Sequence, residues 1–176
     1  MKIPKKHWNM LTFDELACES TSNQFYRYSL AYLDSAERLC KVLKRSSRKA
    51  TYERGSVVLY LAIHATELFL KAAIVHKAPK EKFGHDLMLL YNRYNKLYTK
   101  KIHGFDLPFR SESAPPLDIK IDRNQPDQVY RYPRKTVDDP WSGHYSFEAN
   151  SFLITLQELR THFERMHAEL TKQVLQ

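Results

Sequence analysis

The stretch from 55 to 77 most constrains the fold of this chain, because it is apolar on almost every side of a helix. Its sequence is GSVVLYLAIHATELFLKAAIVHK. Ala78 and Pro79 end it, since proline cannot continue a helix. A helix that is hydrophobic all round is buried inside a domain. We therefore predict a central helix over 55–77, with the rest of the chain packed around it.

Three further segments predict helices that can surround this central one, because their apolar residues recur at steps of three and four. These segments are 22–46, 85–101 and 146–174. The first begins with a capping-box pattern, in which Thr21 is the cap and Gln24 lies three residues on. We predict a mainly all-α fold. The length of 176 residues suits one domain, 1–176, with its core over about 22–174.

Residues 104–145 form an irregular, proline-rich insertion in this helical pattern. Six of the eight prolines lie there, at positions 108, 115, 116, 126, 133 and 140, and they exclude a long helix. Residues 117–122 (LDIKID) alternate apolar and polar side chains, and 128–132 (QVYRY) are rich in residues that favour strands. Turn-forming residues separate the two segments. We predict a small inserted β-hairpin over about 117–132.

Composition narrows the classes of function. Four glycines argue against a glycine-rich nucleotide-binding loop, and two cysteines cannot form a disulfide framework or a cysteine-based zinc site. No apolar leader and no run of about eighteen apolar residues are present, so we expect a soluble, cytoplasmic domain with no membrane partner. The net charge of +8 favours RNA or DNA as partners. Lysine-rich helix faces in contact with solvent would give the same charge.

The central helix keeps one narrow polar strip. Tyr60, His64, Glu67 and Lys71 fall within about 60° of one another on the helical wheel. Glu67 and Lys71 have the spacing of an ion pair, and His64 lies one turn before both. The strip is either the solvent-facing edge of the helix or the wall of a binding pocket. The pattern lacks the further ligands that a zinc site requires.

Arg160 and His167 form a second candidate site, because seven residues of helix place them almost on one line. They belong to a heptad pattern that is typical of a seam between two helices in a dimer: Ala149, Leu153, Leu156, Arg160, Phe163, His167, Leu170 and Val174. A guanidinium can bind a phosphate and an imidazole can move a proton, which together suit phosphodiester cleavage without a metal. Both side chains could equally lie half-exposed on the flank of a long helix, with Arg160 paired to Glu164.

The order of these pieces resembles the HEPN-domain family. The likeness rests on LYLAIHATELFLKAAIVHK, then on Gly84-His85-Asp86-Leu87 followed by LLYNRY, then on Tyr130-Arg131-Tyr132-Pro133 before a long last helix. It covers roughly 22–174. The resemblance implies an up-and-down helical bundle that is commonly dimeric. The Gly84-His85-Asp86 segment has a structural interpretation, since Asp is favoured at a helix N-terminus.

The resemblance implies two roles. Many such proteins look like metal-independent endoribonucleases of toxin–antitoxin or phage-defence systems. In these, an arginine and a histidine with four to six residues between them meet across a homodimer, and six residues separate Arg160 from His167. Arg160 and His167 would then be catalytic, with Arg131, Tyr132 and His64 contributing to RNA binding. Others look like non-catalytic modules that bind a nucleotide or a partner protein, such as a nucleotidyltransferase or an antitoxin. Neither role requires a cofactor.

Overall fold

The computed structural model describes residues 14–82, 84–107 and 148–172. All regular structure within these ranges is helical, which confirms the predicted all-α class for this part of the chain. The β-hairpin predicted over 117–132 lies outside the described residues. The helices are α1 (Asp14–Ala17), α2 (Thr21–Arg45), α3 (Tyr52–Lys77), α4 (Leu87–Leu97) and α5 (Ala149–Lys172), with 3₁₀ turns at Ser47–Lys49 and Lys101–His103.

The first long helix, α2, begins close to its predicted position, but its cap differs from the prediction. Ser20, not Thr21, is the N-cap, and its Oγ accepts a hydrogen bond of 3.3 Å from the backbone N–H of Asn23. The Gln24 side chain donates to the carbonyl of Glu19. Lys44 and Arg45 occupy the last turn, where cations favour the negative end of the helix dipole.

Helix α3 is the central helix of the bundle, as the apolar pattern predicts. Most of its residues from Val58 to Ile74 are buried, and α2 lies antiparallel along it. Among the described helices, α3 is the one that is long and apolar enough to cross a membrane, judged by length and composition. Its most apolar window is 72% buried inside the protein. A helix buried in the core of a soluble protein meets the same criteria of length and composition.

Helix α4 is shorter than the predicted segment 85–101. It begins after Asp86, whose side chain accepts from Leu89 N–H at 2.9 Å. The hydroxyl groups of three tyrosines then donate to main-chain carbonyls at 2.6–2.8 Å. These pairs are Tyr91 with Phe105, Tyr94 with His103 and Tyr98 with Ala73. They fix the turn after α4 against the bundle.

Helix α5 runs antiparallel to α2. Cys40, near the end of α2, donates to the carbonyl of Ala149 at the start of α5, and His167 stacks on Tyr26 at the opposite end. Most of the heptad residues predicted for a seam between two copies therefore pack inside one chain, while Val174 lies outside the described residues. Those buried there are Leu153, Leu156, Phe163 and Leu170. The homodimer stays a prediction, but this face of α5 is already covered.

Two stacked phenylalanines join α3 to α5 at the middle of the core. The rings of Phe69 and Phe163 lie parallel with centroids 4.0 Å apart, and each residue is at most 1% exposed. Such pairs add to the free energy gained from apolar burial. This contact helps to hold α5 in position against α3.

We expect Phe163→Ala to lower the free energy of unfolding by about 3–5 kcal/mol, since it leaves a cavity against Phe69. Urea unfolding followed by circular dichroism measures the change. Ile154→Ala on the same helix is the matched control, because Ile154 is 58% exposed, and we expect a change within about 0.5 kcal/mol. Equal effects of the two substitutions would contradict this placement of the core.

Candidate functional site

The Glu67 carboxylate on α3 contacts the other charged side chains of the predicted polar strip. Lys71 Nζ lies 2.6 Å from its Oε1, and His85 Nδ1 lies 2.9 Å from the same oxygen. His64 Nδ1 lies 3.5 Å from Oε2. Glu67 and Lys71 are only 4% and 5% exposed, so the strip is not the solvent-facing edge that one interpretation predicted. We call these four side chains the Glu67 cluster.

The cluster keeps a buried carboxylate ionised. Burial alone raises the pKa of Glu67, but hydrogen bonds from His64, Lys71 and His85 outweigh that effect and lower the pKa to about 2. Each basic partner is thereby engaged by Glu67 itself. Tyr60 stacks parallel to the ring of His64, with centroids 5.9 Å apart. Glu67 and Lys71 thus form the buried part of the cluster, and the side chains of His64 and His85, which are 26% and 81% exposed, lie on its solvent side.

His85 is the member of the cluster that the sequence did not place. The Gly84-His85-Asp86 segment was interpreted as a helix start, and the Asp86 cap confirms that part. The additional contact joins His85, 18 positions away in the chain, to Glu67. Sequence spacing within α3 could not reveal it, because the approach depends on how α4 packs across α3.

Arg160 is held by carboxylates of α2 and of its own helix. Its Nε donates to Glu37 Oε1 at 2.6 Å, its Nη2 donates to Asp34, and its Nη1 lies 3.7 Å from Glu164. The pairing with Glu164 confirms one of the two sequence interpretations. Burial lowers the pKa of Arg160, while Glu37 and Asp34 raise it by more. Its positive charge is therefore neutralised within the chain.

His167 lies beside a cavity between α2, α3 and α5. Its ring stacks on Tyr26 with centroids 3.8 Å apart and planes 4° apart. Burial lowers the pKa of His167, with Glu19 raising it and His76 lowering it further, and the net effect favours the neutral imidazole. The cavity measures about 360 Å³. Its walls combine apolar side chains with a few polar ones, including Ser22, Phe69, Ala72, His76 and Leu170.

Arg160 and His167 both face α2, but they contact different turns of it. Arg160 contacts Asp34 and Glu37, whereas His167 contacts Tyr26. Seven residues of helix separate the two along α5 by roughly 10 Å. Within this chain they do not share a contact, and their meeting across a dimer stays a prediction.

A second arginine–histidine pair on α5 was missed by sequence reasoning. Arg165 Nη2 lies 2.6 Å from Nδ1 of His162, which is only 4% exposed. Burial, aided by the charges of Arg165 and His103, lowers the pKa of His162 to about 3. Spacing of three residues on a helix was the available signal, although such pairs are common on helix surfaces.

The remaining predicted site residues, Arg131 and Tyr132, lie outside the described residues. Within 14–82, 84–107 and 148–172, no group of three His, Cys, Asp or Glu side chains is arranged to hold a metal ion. Comparison with protein-family models, with curated proteins and with solved structures gives no match for this chain.

Replacing the central carboxylate tests the Glu67 cluster. We expect Glu67→Gln to lower the free energy of unfolding at pH 7 by about 3 kcal/mol, because the buried ion pair between Glu67 and Lys71 would lose its negative partner. Chemical denaturation measures this loss of free energy. The control is Glu158→Gln, at an exposed position of α5. A loss no larger than that of the control would contradict the structural role of the cluster.

The same variant tests the pH dependence of stability. The pKa of Glu67 is depressed from 4.5 to about 2 in the folded chain, so its stabilisation is complete above about pH 4.5 and is lost as the pH falls towards 2. We expect the difference between the wild type and Glu67→Gln to shrink over this interval in unfolding experiments. A difference that stays constant down to pH 2 would refute this assignment.

Arg160 is predicted to act as a structural anchor. We expect Arg160→Met to lower the free energy of unfolding by about 1–3 kcal/mol, because Glu37 loses a charged hydrogen bond. In a double-mutant cycle, the loss should be smaller in a Glu37→Gln background. Arg38→Met, at an exposed position of α2, is the control. Unchanged stability of Arg160→Met would argue against the anchor.

Proposed function

We propose that this protein is a non-catalytic, HEPN-like helical module that binds a nucleotide in the cavity beside His167. The single observation that carries the proposal is the cavity itself. Its volume of about 360 Å³ lies in the range of about 300–1,000 Å³ that is usual for small-ligand sites. The family resemblance of the sequence supports a nucleotide as the ligand.

The walls of the cavity suit a base attached to a polar group. Phe69, Ala72, Ala73 and Leu170 supply apolar surface on which a planar ring can pack. The first turn of α2 forms one edge of the cavity through Ser22 and its neighbours. Backbone N–H groups in the first turn of a helix lack partners within the helix and favour anions, so this edge suits a phosphate.

The charges around Arg160 favour binding over RNA cleavage. A cleavage site needs a guanidinium that is free to neutralise the reacting phosphate, and here Asp34, Glu37 and Glu164 already surround that group. The Glu67 cluster, the other predicted binding site, has its basic groups directed at its own carboxylate. The endoribonuclease, the homodimer, and the nucleotidyltransferase or antitoxin partner stay predictions.

A thermal-shift experiment on the full chain tests the proposal with a panel of nucleoside monophosphates. At a ligand concentration of 100 times Kd, stabilisation is about 2.7 kcal/mol, which raises the melting temperature by about 5 °C or more for a domain of this size. We expect His167→Gln to lose most of that shift, because it removes the stacked ring.

His64→Gln is the competing variant, because it alters the Glu67 cluster and leaves the cavity intact. We expect it to retain the nucleotide shift relative to its own melting temperature. Loss of the shift in His64→Gln alone would move the site to the cluster. No shift with any nucleotide would overturn the proposal. RNA cleavage in EDTA that His167→Ala abolishes would replace binding with catalysis.

A further inference from the structure

Arg165 differs from the three arginines that carboxylates hold in place, whereas Arg54, like Arg165, donates to a backbone carbonyl, that of Lys49 at 3.4 Å. Arg27 pairs with Glu19, Arg93 with Glu81 through two bonds of 2.6 Å, and Arg160 with three carboxylates. Arg165 is fixed by neutral acceptors instead. Its Nη2 contacts His162 Nδ1 at 2.6 Å and the carbonyl of Gly104 at 3.3 Å.

The histidine that holds Arg165 is itself held in one tautomer. Because Arg165 can only donate, Nδ1 of His162 accepts, and the ring proton is on Nε2. That Nε2 lies 3.4 Å from the hydroxyl oxygen of Tyr94, and the Tyr94 hydroxyl donates to the carbonyl of His103 at 2.7 Å. Since the pKa of His162 is about 3, the ring stays neutral at physiological pH. The chain of donors therefore orients the guanidinium without cancelling its charge.

The charge of Arg165 is also felt by its buried neighbours. Burial is the main cause that lowers the pKa of His103, and Lys100, Lys77 and Arg165 lower it further, against an opposing effect of Glu169. For the described parts of the chain, no carboxylate lies within 4.0 Å of Arg165. A guanidinium that is held in place without a carboxylate in contact is a ready partner for a carboxylate or phosphate group.

This arginine lines an open groove of about 430 Å³ between α5 and the Gly104–Phe105 segment. The Phe105 ring stacks on His162 with centroids 4.2 Å apart, and Ile154 is 58% exposed in the same groove. Gln157, Glu158 and Thr161 supply its polar lining. The apolar patch suits the body of a small organic molecule, and Arg165 suits its acidic group.

We propose that the Arg165 groove is a binding site for a small oxyanion, in the form of a carboxylate or a phosphate ester. Arg165 binds the anionic group, and His162 acts as the positioning residue. Glu158 places a negative charge in the same groove, which favours a ligand with a single anionic group over a polyanion such as RNA. His162 and Arg165 lie about 140° and 160° from His167 around α5, so this site is independent of the nucleotide cavity.

Titration of the isotopically labelled full chain with inorganic phosphate and with acetate tests this site. Nuclear magnetic resonance of the histidine side chains reports on it directly, because the signals of the His162 ring respond to any change in its hydrogen bond with Arg165. We expect saturable shifts of these signals in the wild type. Tighter binding of phosphate would indicate a phosphate ester as the ligand, and tighter binding of acetate would indicate a carboxylate.

Arg165→Ala should weaken binding of that probe about tenfold or more, since a charged hydrogen bond is lost. Arg165→Lys should bind with intermediate affinity, because it keeps the charge but not the two-pronged geometry. Arg38→Ala is the matched control, with the same change in net charge at an exposed site, and should bind like the wild type. His167→Gln should also leave this binding unchanged.

Three results would overturn the proposal, and the first two are no saturable response of His162 in the wild type and equal affinity in the wild type, Arg165→Ala and Arg38→Ala. Loss of binding in Arg38→Ala as well would also overturn it, because it would indicate a general effect of charge. Failure of the nucleotide experiment would leave this result unaffected, since that experiment depends on His167 and this one on Arg165.

Discussion

Burying α3 at the centre of the bundle requires that its few polar groups be satisfied inside the protein. Glu67 carries the largest part of that requirement, because an ionised carboxylate at 4% exposure is costly unless charged partners surround it. Lys71 and His64 come from the same helix, and His85 comes from the start of α4. The same carboxylate thereby joins α3 to the segment that precedes α4.

A comparable arrangement fixes α5 to α2. Arg160 spans the interface to Asp34 and Glu37, and the parallel stack of His167 on Tyr26 holds the other end of the same interface. These contacts use the polar residues of the heptad within one chain. The chemistry that Arg160 offers to a phosphate is reduced for the same reason, since its charge is already balanced.

The contrast between Arg160 and Arg165 shows how one residue type acquires two roles on one helix. Carboxylates neutralise the first, whereas a neutral histidine and a backbone carbonyl orient the second. The difference arises from what packs against each face of α5: acidic residues of α2 on one side, and the aromatic turn around Phe105 on the other. The proposed binding of an anion at Arg165 rests on this difference between the partners of the two arginines.

The sequence by itself determined the helical class, the burial of α3 and the i,i+4 pairs such as Glu67 with Lys71, because periodicity and local spacing are fixed along a helix. The sequence also placed the helix ends within a few residues, and it predicted the ion pair between Arg160 and Glu164. Only the tertiary structure decided that His85 reaches Glu67 and that the carbonyl of Gly104 accepts from Arg165. Those contacts depend on how separate helices and turns pack, and side-chain spacing along one helix carries no information about that packing.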